Sequence, residues 1–95
     1  MKITIIYDNT AWDKRLQAHW GFSCLVSDHG KNILFDTGTN GQILLENMKK
    51  LRIDPKIVDA VFISHDHGDH MGGLIDFLKI HPAQVYIPFS SPAPQ

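Results

Sequence analysis

Ser64-His65-Asp66-His67-Gly68-Asp69-His70 gathers four metal-ligating side chains, His65, His67, Asp69 and His70, in a short stretch. The apolar run Ala60-Val61-Phe62-Ile63 precedes it, and Met71, Leu74, Ile75 and Leu78 follow at helical spacing. The stretch therefore falls where a buried strand over residues 59–64 gives way to a helix starting at Asp69, the place at which α/β sheets gather ligands. His65 and His67 are two apart, so extended backbone sends both side chains to one side. Asp69 and His70, in the first helical turn, can turn back to the same space. Imidazole nitrogens with a carboxylate suit Zn²⁺, Fe, Mn or Ni. Gly68 permits the sharp bend between the two ligand pairs, and Gly72 and Gly73 keep bulk away from the helix start. The plainer reading, an exposed polar loop, leaves four donors framed by a buried strand and an amphipathic helix unexplained.

Working outward, strands and helices alternate. Lys2–Tyr7 is β-branched and aromatic and reads as a strand, ending at the turn pair Asp8-Asn9. Residues 10–20 read as a loop. Residues 21–27 and 32–36 are apolar strands joined by a hairpin turn at Asp28-His29-Gly30-Lys31. Thr39 and Gln42 have capping-box spacing, and Leu44, Met48 and Leu51 carry a helix to about Leu51. Asp54-Pro55 restarts the chain, His81-Pro82 stops the second helix, and residues 84–88 form a last short strand. One domain over residues 1–89 and a linker-like tail over 90–95 follow from this order.

The 95 residues suffice for one small domain. Nine Lys and Arg against ten Asp and Glu give a net charge of −1, with no basic footprint for nucleic acid or membrane. A hydrophobic content of 43% is globular, yet no apolar run approaches the roughly 20 residues of a spanning helix. The start of the chain is too short and strand-like for a signal peptide, and a lone Cys24 fits a reducing compartment. These features predict a cytoplasmic protein.

The H-x-H-x-D-H form of residues 65–70, with Phe62-Ile63-Ser64 before it and Met71-Gly72-Gly73-Leu74 after it, resembles the metallo-β-lactamase-fold hydrolases. Ile33-Leu34-Phe35-Asp36-Thr37-Gly38 is similar to that family's strand-then-Asp-x-Gly motif, and Gly21-Phe22-Ser23 opens a strand ahead of it in the usual way. The resemblance runs from Lys2 to about Pro88. Through Tyr7-Asp8-Asn9 and residues 51–61, the chain looks most like the dihydropterin and ribofuranosylaminobenzene phosphate synthase-like branch. It implies an α/β fold: the N-terminal half of an αβ/βα sandwich, a mixed sheet with helices on one face. It also implies a dinuclear site with two divalent metal ions, zinc foremost. His65 and His67 would bind the first metal and Asp69 and His70 the second, with Asp69 the catalytic residue that orients the activated water. Flavo-diiron relatives have Glu at the second histidine position; His67 here favours the hydrolytic branch. Asp36 would steady the metal-binding loop through hydrogen bonds. The implied reaction is attack of metal-activated water on an ester, lactone, thioester or phosphoester of a small molecule.

The family takes its remaining ligands from a second half, a histidine, a bridging carboxylate and a last histidine. After His70 this sequence offers only Asp76 and His81. Asp76 lies too far along its helix, and His81 at a helix end suits the macrodipole. The chain therefore reads as half of a hydrolase, whether truncation, proteolytic fragment or split subunit, inactive by itself. It is expected to pair through its bare sheet face with a C-terminal half or another copy of itself.

Trp12, His19 and Trp20 precede the second strand and either line a substrate pocket or cover core edges. His29 reads as an exposed turn residue, and Cys24, alternating with Phe22 and Val26, as a small buried hydrophobe. Lys49, Lys50 and Arg52 favour a helix C-terminus. Two rival functions remain. Leu34-Phe35-Asp36-Thr37-Gly38-Thr39 has the look of a dimeric aspartic protease, although a helix follows it where that all-β fold needs strands, and it leaves residues 65–70 without a purpose. A non-catalytic metal- or partner-binding fragment is the other.

Overall fold

A computed structural model of the chain describes residues 1–64 and 68–87, without the side chain of Asp69. Five strands form one mixed sheet in the order β1-β2-β3-β4-β5: Lys2–Tyr7, Ser23–Asp28, Lys31–Phe35, Ala60–Phe62 and Gln84–Tyr86. β1-β2 and β2-β3 are antiparallel, while β3-β4 and β4-β5 are parallel. β1, β3 and β4 thus point the same way, and the segments beyond Tyr7, Phe35 and Phe62 share one rim. The helices are α1 (Gly41–Lys50), α2 (Gly68–Met71) and α3 (Leu74–Ile80), with a 3₁₀ turn at Pro55–Ile57. Among the described residues no helix is long and apolar enough to cross a membrane.

The register divides the sheet into two faces. Leu25, Leu34, Val61 and Val85 stand opposite one another on one face, where Leu44 and Met48 of α1 and Leu74 and Phe77 of α3 complete the core. Cys24, Phe35, Phe62 and Tyr86 make a row on the other. A period-2 strand cannot turn both Ile6 and Tyr7 inward, yet both are buried. The register shift between Ile5 and Tyr7 re-aims Tyr7 into the core.

The hairpin turn expected at residues 28–31 is present, with His29 (φ 49°) and Gly30 (φ 77°) both left-handed as a two-residue type I′ turn requires. Three expectations change. The N-cap of α1 is Asn40, whose Oδ1 accepts from Gln42 and Ile43 N–H, because the Thr39 hydroxyl instead donates to the Trp20 carbonyl. β4 pairs only over Ala60–Phe62; the Ile63 N–H goes to the Tyr86 carbonyl, and Ser64 N–H to a side chain described below. The single helix from Asp69 is two helices, since the His70 carbonyl accepts from Thr37 N–H (2.6 Å) and Thr37 Oγ1 (3.1 Å). α3 then buries Leu74 and Phe77, and Ile75, expected on the apolar face, is 63% exposed. The tail, Pro88 and the end of the domain lie outside the described residues.

α1 ends in a Schellman motif, with Ile53 N–H bonded to the Met48 carbonyl and Arg52 N–H to that of Lys49. Its C′ residue is Arg52 at φ 59°, where glycine is the relaxed choice. Arg52→Gly should therefore stabilise the fold by about 0.5–1 kcal/mol. Thermal unfolding checks this: the midpoint should rise by a few degrees.

Candidate metal centre

β3 ends at Phe35, and the next residue, Asp36, takes a left-handed backbone at φ 60°, which Asp tolerates better than most side chains. Its N–H bonds the Phe62 carbonyl of the neighbouring strand, and its own carbonyl accepts from the buried Ser23 hydroxyl at 2.6 Å. Thus fixed, the 1% exposed carboxylate turns toward the segment after β4. Oδ1 accepts from Ser64 N–H at 2.7 Å, and Oδ2 from the Ser64 hydroxyl at 2.6 Å. Oδ2 also lies 2.7 Å from His70 Nδ1. A carboxylate can only accept, so His70 Nδ1 carries the proton and the ring's lone pair is on Nε2. A carboxylate oriented on the far nitrogen is the arrangement that sets the tautomer of a metal-binding histidine.

Backbone contacts fix the surrounding loop. Gly73 N–H donates to the Gly38 carbonyl and Gly38 N–H to that of Phe22. The Tyr7 ring lies against Gly38 so closely that a Cβ there would come within 2.6 Å of it, and the Tyr7 hydroxyl accepts from Asn40 N–H. Residues 36–40 are thus held from β1, β2 and the α2-α3 junction together.

Of the sequence-predicted ligands, the structure brings His70 to Asp36. His65 and His67 lie outside the described residues, as does the Asp69 side chain. The three pocket candidates do not gather in one place. Trp12 Nε1 donates to the Ile5 carbonyl, and the residue lines an open cleft of about 440 Å³ with Lys2, Leu51 and Ile53. His19 and Trp20 instead adjoin the 36–40 loop through Tyr7 and Thr39. His29 is exposed and pairs with Asp28, and His81 Nε2 reaches the Val58 carbonyl at 2.9 Å. Cys24 is buried, and burial first, then the Asp36 carboxylate, pushes its thiol pKa up, which keeps it from acting as a thiolate nucleophile.

Sequence reasoning passed over Tyr7 and Asn47. Asn47 is fully buried, donates to the Ile6 and Gln17 carbonyls, accepts from Gln17 N–H, and so ties the 10–20 loop to α1. A polar side chain between Leu44 and Met48 on the apolar stripe was the available signal.

The pattern of the metallo-beta-lactamase superfamily matches residues 21–88. Over 80 residues the chain is 40% identical to a 7,8-dihydropterin-6-methyl-4-(beta-D-ribofuranosyl)-aminobenzene-5'-phosphate synthase of Methanocaldococcus jannaschii, covering 80% of this chain and 27% of that one. It is 34% identical over 71 residues to a metal-dependent hydrolase of Bacillus thuringiensis, covering 67% and 31%. The structure superposes on human tRNase Z, short form, with a TM-score of 0.64 at 26% identity, covering 82% of this chain and 28% of that one. The chain spans roughly a quarter to a third of the length of these proteins. Its fold, a mixed sheet with helices on one face, is the N-terminal part of the one they share. By sequence pattern and by these relatives, the chain belongs to the metallo-beta-lactamase superfamily.

Proposed function

We propose that the chain is the ligand-bearing N-terminal half of a metal-dependent hydrolase with a dinuclear centre. The observation that carries this reading is the Asp36–His70 pair, 2.7 Å apart, which ties the last residue of the H-x-H-x-D-H stretch to the end of β3. A buried carboxylate that presents the His70 ring in the Nδ1–H form fits the donor set of a metal site. His65 and His67 would hold the first divalent ion and Asp69 and His70 the second, with zinc best suited to nitrogen and carboxylate ligands. Divalent ions so held supply Lewis acidity to a carbonyl or phosphoryl oxygen and a water that ionises near pH ~7. The chain's own contribution is orientation. Asp36 fixes the His70 ring and holds Ser64 just beyond β4, Thr37 anchors the His70 carbonyl, and Asp69 would orient the activated water. The substrate class is an ester, lactone, thioester or phosphoester.

The remaining ligands come, in this reading, from a C-terminal half whose sheet packs on the face opposite the helices. Ile3, Phe62 and Tyr86 are 58%, 43% and 53% exposed there. Phe35, Phe62 and Tyr86 stack in sequence, with ring centroids 5.6 and 6.4 Å apart. An apolar row of this kind is what a second sheet covers. The test adds the C-terminal remainder of the Methanocaldococcus relative to this chain and assays phosphodiester, lactone and thioester substrates. Little turnover is expected from the chain alone, and activity with a 1:1 complex when the halves are mixed. Light scattering on the chain alone should show association. A cooperatively unfolding, monodisperse monomer at high micromolar concentration, or robust turnover by the single chain, would contradict the reading.

A further inference from the structure

β1 is an outer strand of the sheet and pairs with β2 alone. In a strand the N–H and C=O of one residue point the same way, and successive residues alternate. The Ile5 carbonyl accepts from Trp12 Nε1, so it points away from β2. Alternation then turns Ile5 N–H and both backbone groups of Ile3 outward as well. Among the described residues no strand lies beside them. Sheet edges are commonly blunted by charge, proline, a bulge or a covering loop. Here the bulge and the Trp12 indole close the edge only from the Ile5 carbonyl onward, and Ile3 is 58% exposed.

Beside this edge runs the cleft of about 440 Å³, walled by Trp12, Leu51 and Ile53 and also lined by Lys2. Its walls are fixed to one another. The Arg15 guanidinium, ion-paired with Asp13 at 2.8 Å, also donates to the Lys50 carbonyl, and the Asn47 side chain holds Gln17. The loop that carries Trp12 is therefore tied to the end of α1 in advance, so a ligand has little left to order. A second depression of about 470 Å³ shares Ile53 and is lined also by Lys49, Arg52 and Ile80. The cations along this groove are Lys2, Lys49 and Arg52, while its acid, Asp54, already accepts from Lys56 N–H. A chain of net charge −1 carries a locally basic groove here. Outward backbone groups, apolar walls and positive charge together match an extended peptide with apolar and acidic side chains.

We propose that the outer edge of β1 binds an extended segment of a separate partner protein, apolar at its centre and acidic at its ends, which adds to the sheet as a further strand. Ile3 supplies a backbone donor and acceptor and Ile5 a donor. Trp12 and Ile53 receive the apolar side chains, and Lys2, Lys49 and Arg52 the carboxylates. The site shares no residue with the metal centre.

The probe is a fluorescein-labelled, C-terminally amidated hexapeptide, two valines flanked on each side by two glutamates, followed by anisotropy with the 95-residue chain. Saturable binding is expected. The same peptide N-methylated at its valines should bind about tenfold more weakly or worse, because it loses donors and gains bulk only where it would pair with a strand. Lysines in place of its glutamates should weaken it by a similar factor. Ile3→Pro removes an outward N–H that the β1-β2 ladder does not use, so the thermal midpoint should stay near wild type while affinity falls about tenfold. The methylated peptide leaves the protein untouched, so its contrast is read whether or not Ile3→Pro folds. No saturable binding up to about 1 mM, or equal affinity for the plain and methylated peptides, would overturn the proposal. So would self-association that Ile3→Pro abolishes and the peptide does not compete with, because the edge would then belong to a second copy of the chain.

Discussion

Asp36→Ala should cost about 2–4 kcal/mol of stability and weaken metal binding about 10- to 100-fold. The carboxylate is buried and accepts from Ser64 N–H, Ser64 Oγ and His70 Nδ1. Its removal leaves these donors without that acceptor in a site that water reaches poorly, which is the expensive direction of a hydrogen-bond change. Alanine is also less at ease than Asp in the left-handed backbone at φ 60°. At roughly 4–8 °C per kcal/mol for a domain of this size, the thermal midpoint should fall by about 10–25 °C. Asp36→Asn separates the two effects. Its volume is unchanged, but its amide nitrogen faces donors, so packing survives while the hold on His70 is lost. Metal affinity should drop nearly as far as in the alanine variant, and stability less. Calorimetry with zinc titration measures both, and wild-type metal affinity in either variant would remove Asp36 from the account.

Gly73→Ala should be at least as damaging, by about 3 kcal/mol or more, for a purely steric reason. The backbone at Gly73 is ordinary, φ −87°, so any residue could adopt it. A Cβ there, however, would lie 2.4 Å from the Thr37 carbonyl oxygen and 3.2 Å from Gly41 Cα. Both are main-chain atoms, which no rotamer change can move aside. The α2-α3 junction would have to back away from the Asp36 loop, and the Gly73 N–H to Gly38 carbonyl bond would go with it. Gly30→Ala is the control. Gly30 has φ 77° but nothing within 4 Å of a Cβ, so only the backbone strain of about 1 kcal/mol should appear. Chemical denaturation of the two variants should rank them in this order; equal losses would mean that the close approach at Gly73 is not what holds the junction.

The strands were legible because their cues are local. β-branched runs and a hairpin turn need no distant information. The break in the helix after His70 was not legible, because it depends on Thr37, thirty-three residues upstream, taking the His70 carbonyl. The same holds for the N-cap of α1. Thr39 and Gln42 match a capping box by spacing, but the Thr39 hydroxyl is drawn to Trp20, and only the fold brings those two together. At the site, Asp36 was marked by the strand-then-Asp-x-Gly motif it opens, and His70, which it meets, by its place in the H-x-H-x-D-H stretch. The support from Tyr7 was hidden by a bulge, since strict alternation would have put Ile6 or Tyr7 outside. Ile75 misled for a related reason: once the helix restarts at Leu74, the buried stripe shifts to Leu74 and Phe77.

The central claim is that residues 65–70 hold metal. Elemental analysis of the chain, purified without chelator and dialysed after saturation with zinc, tests it most directly against a His65→Ala/His67→Ala double variant. The account predicts divalent metal retained by the wild type and lost from the double variant, at unchanged helix content. Equal metal in the two proteins would contradict it.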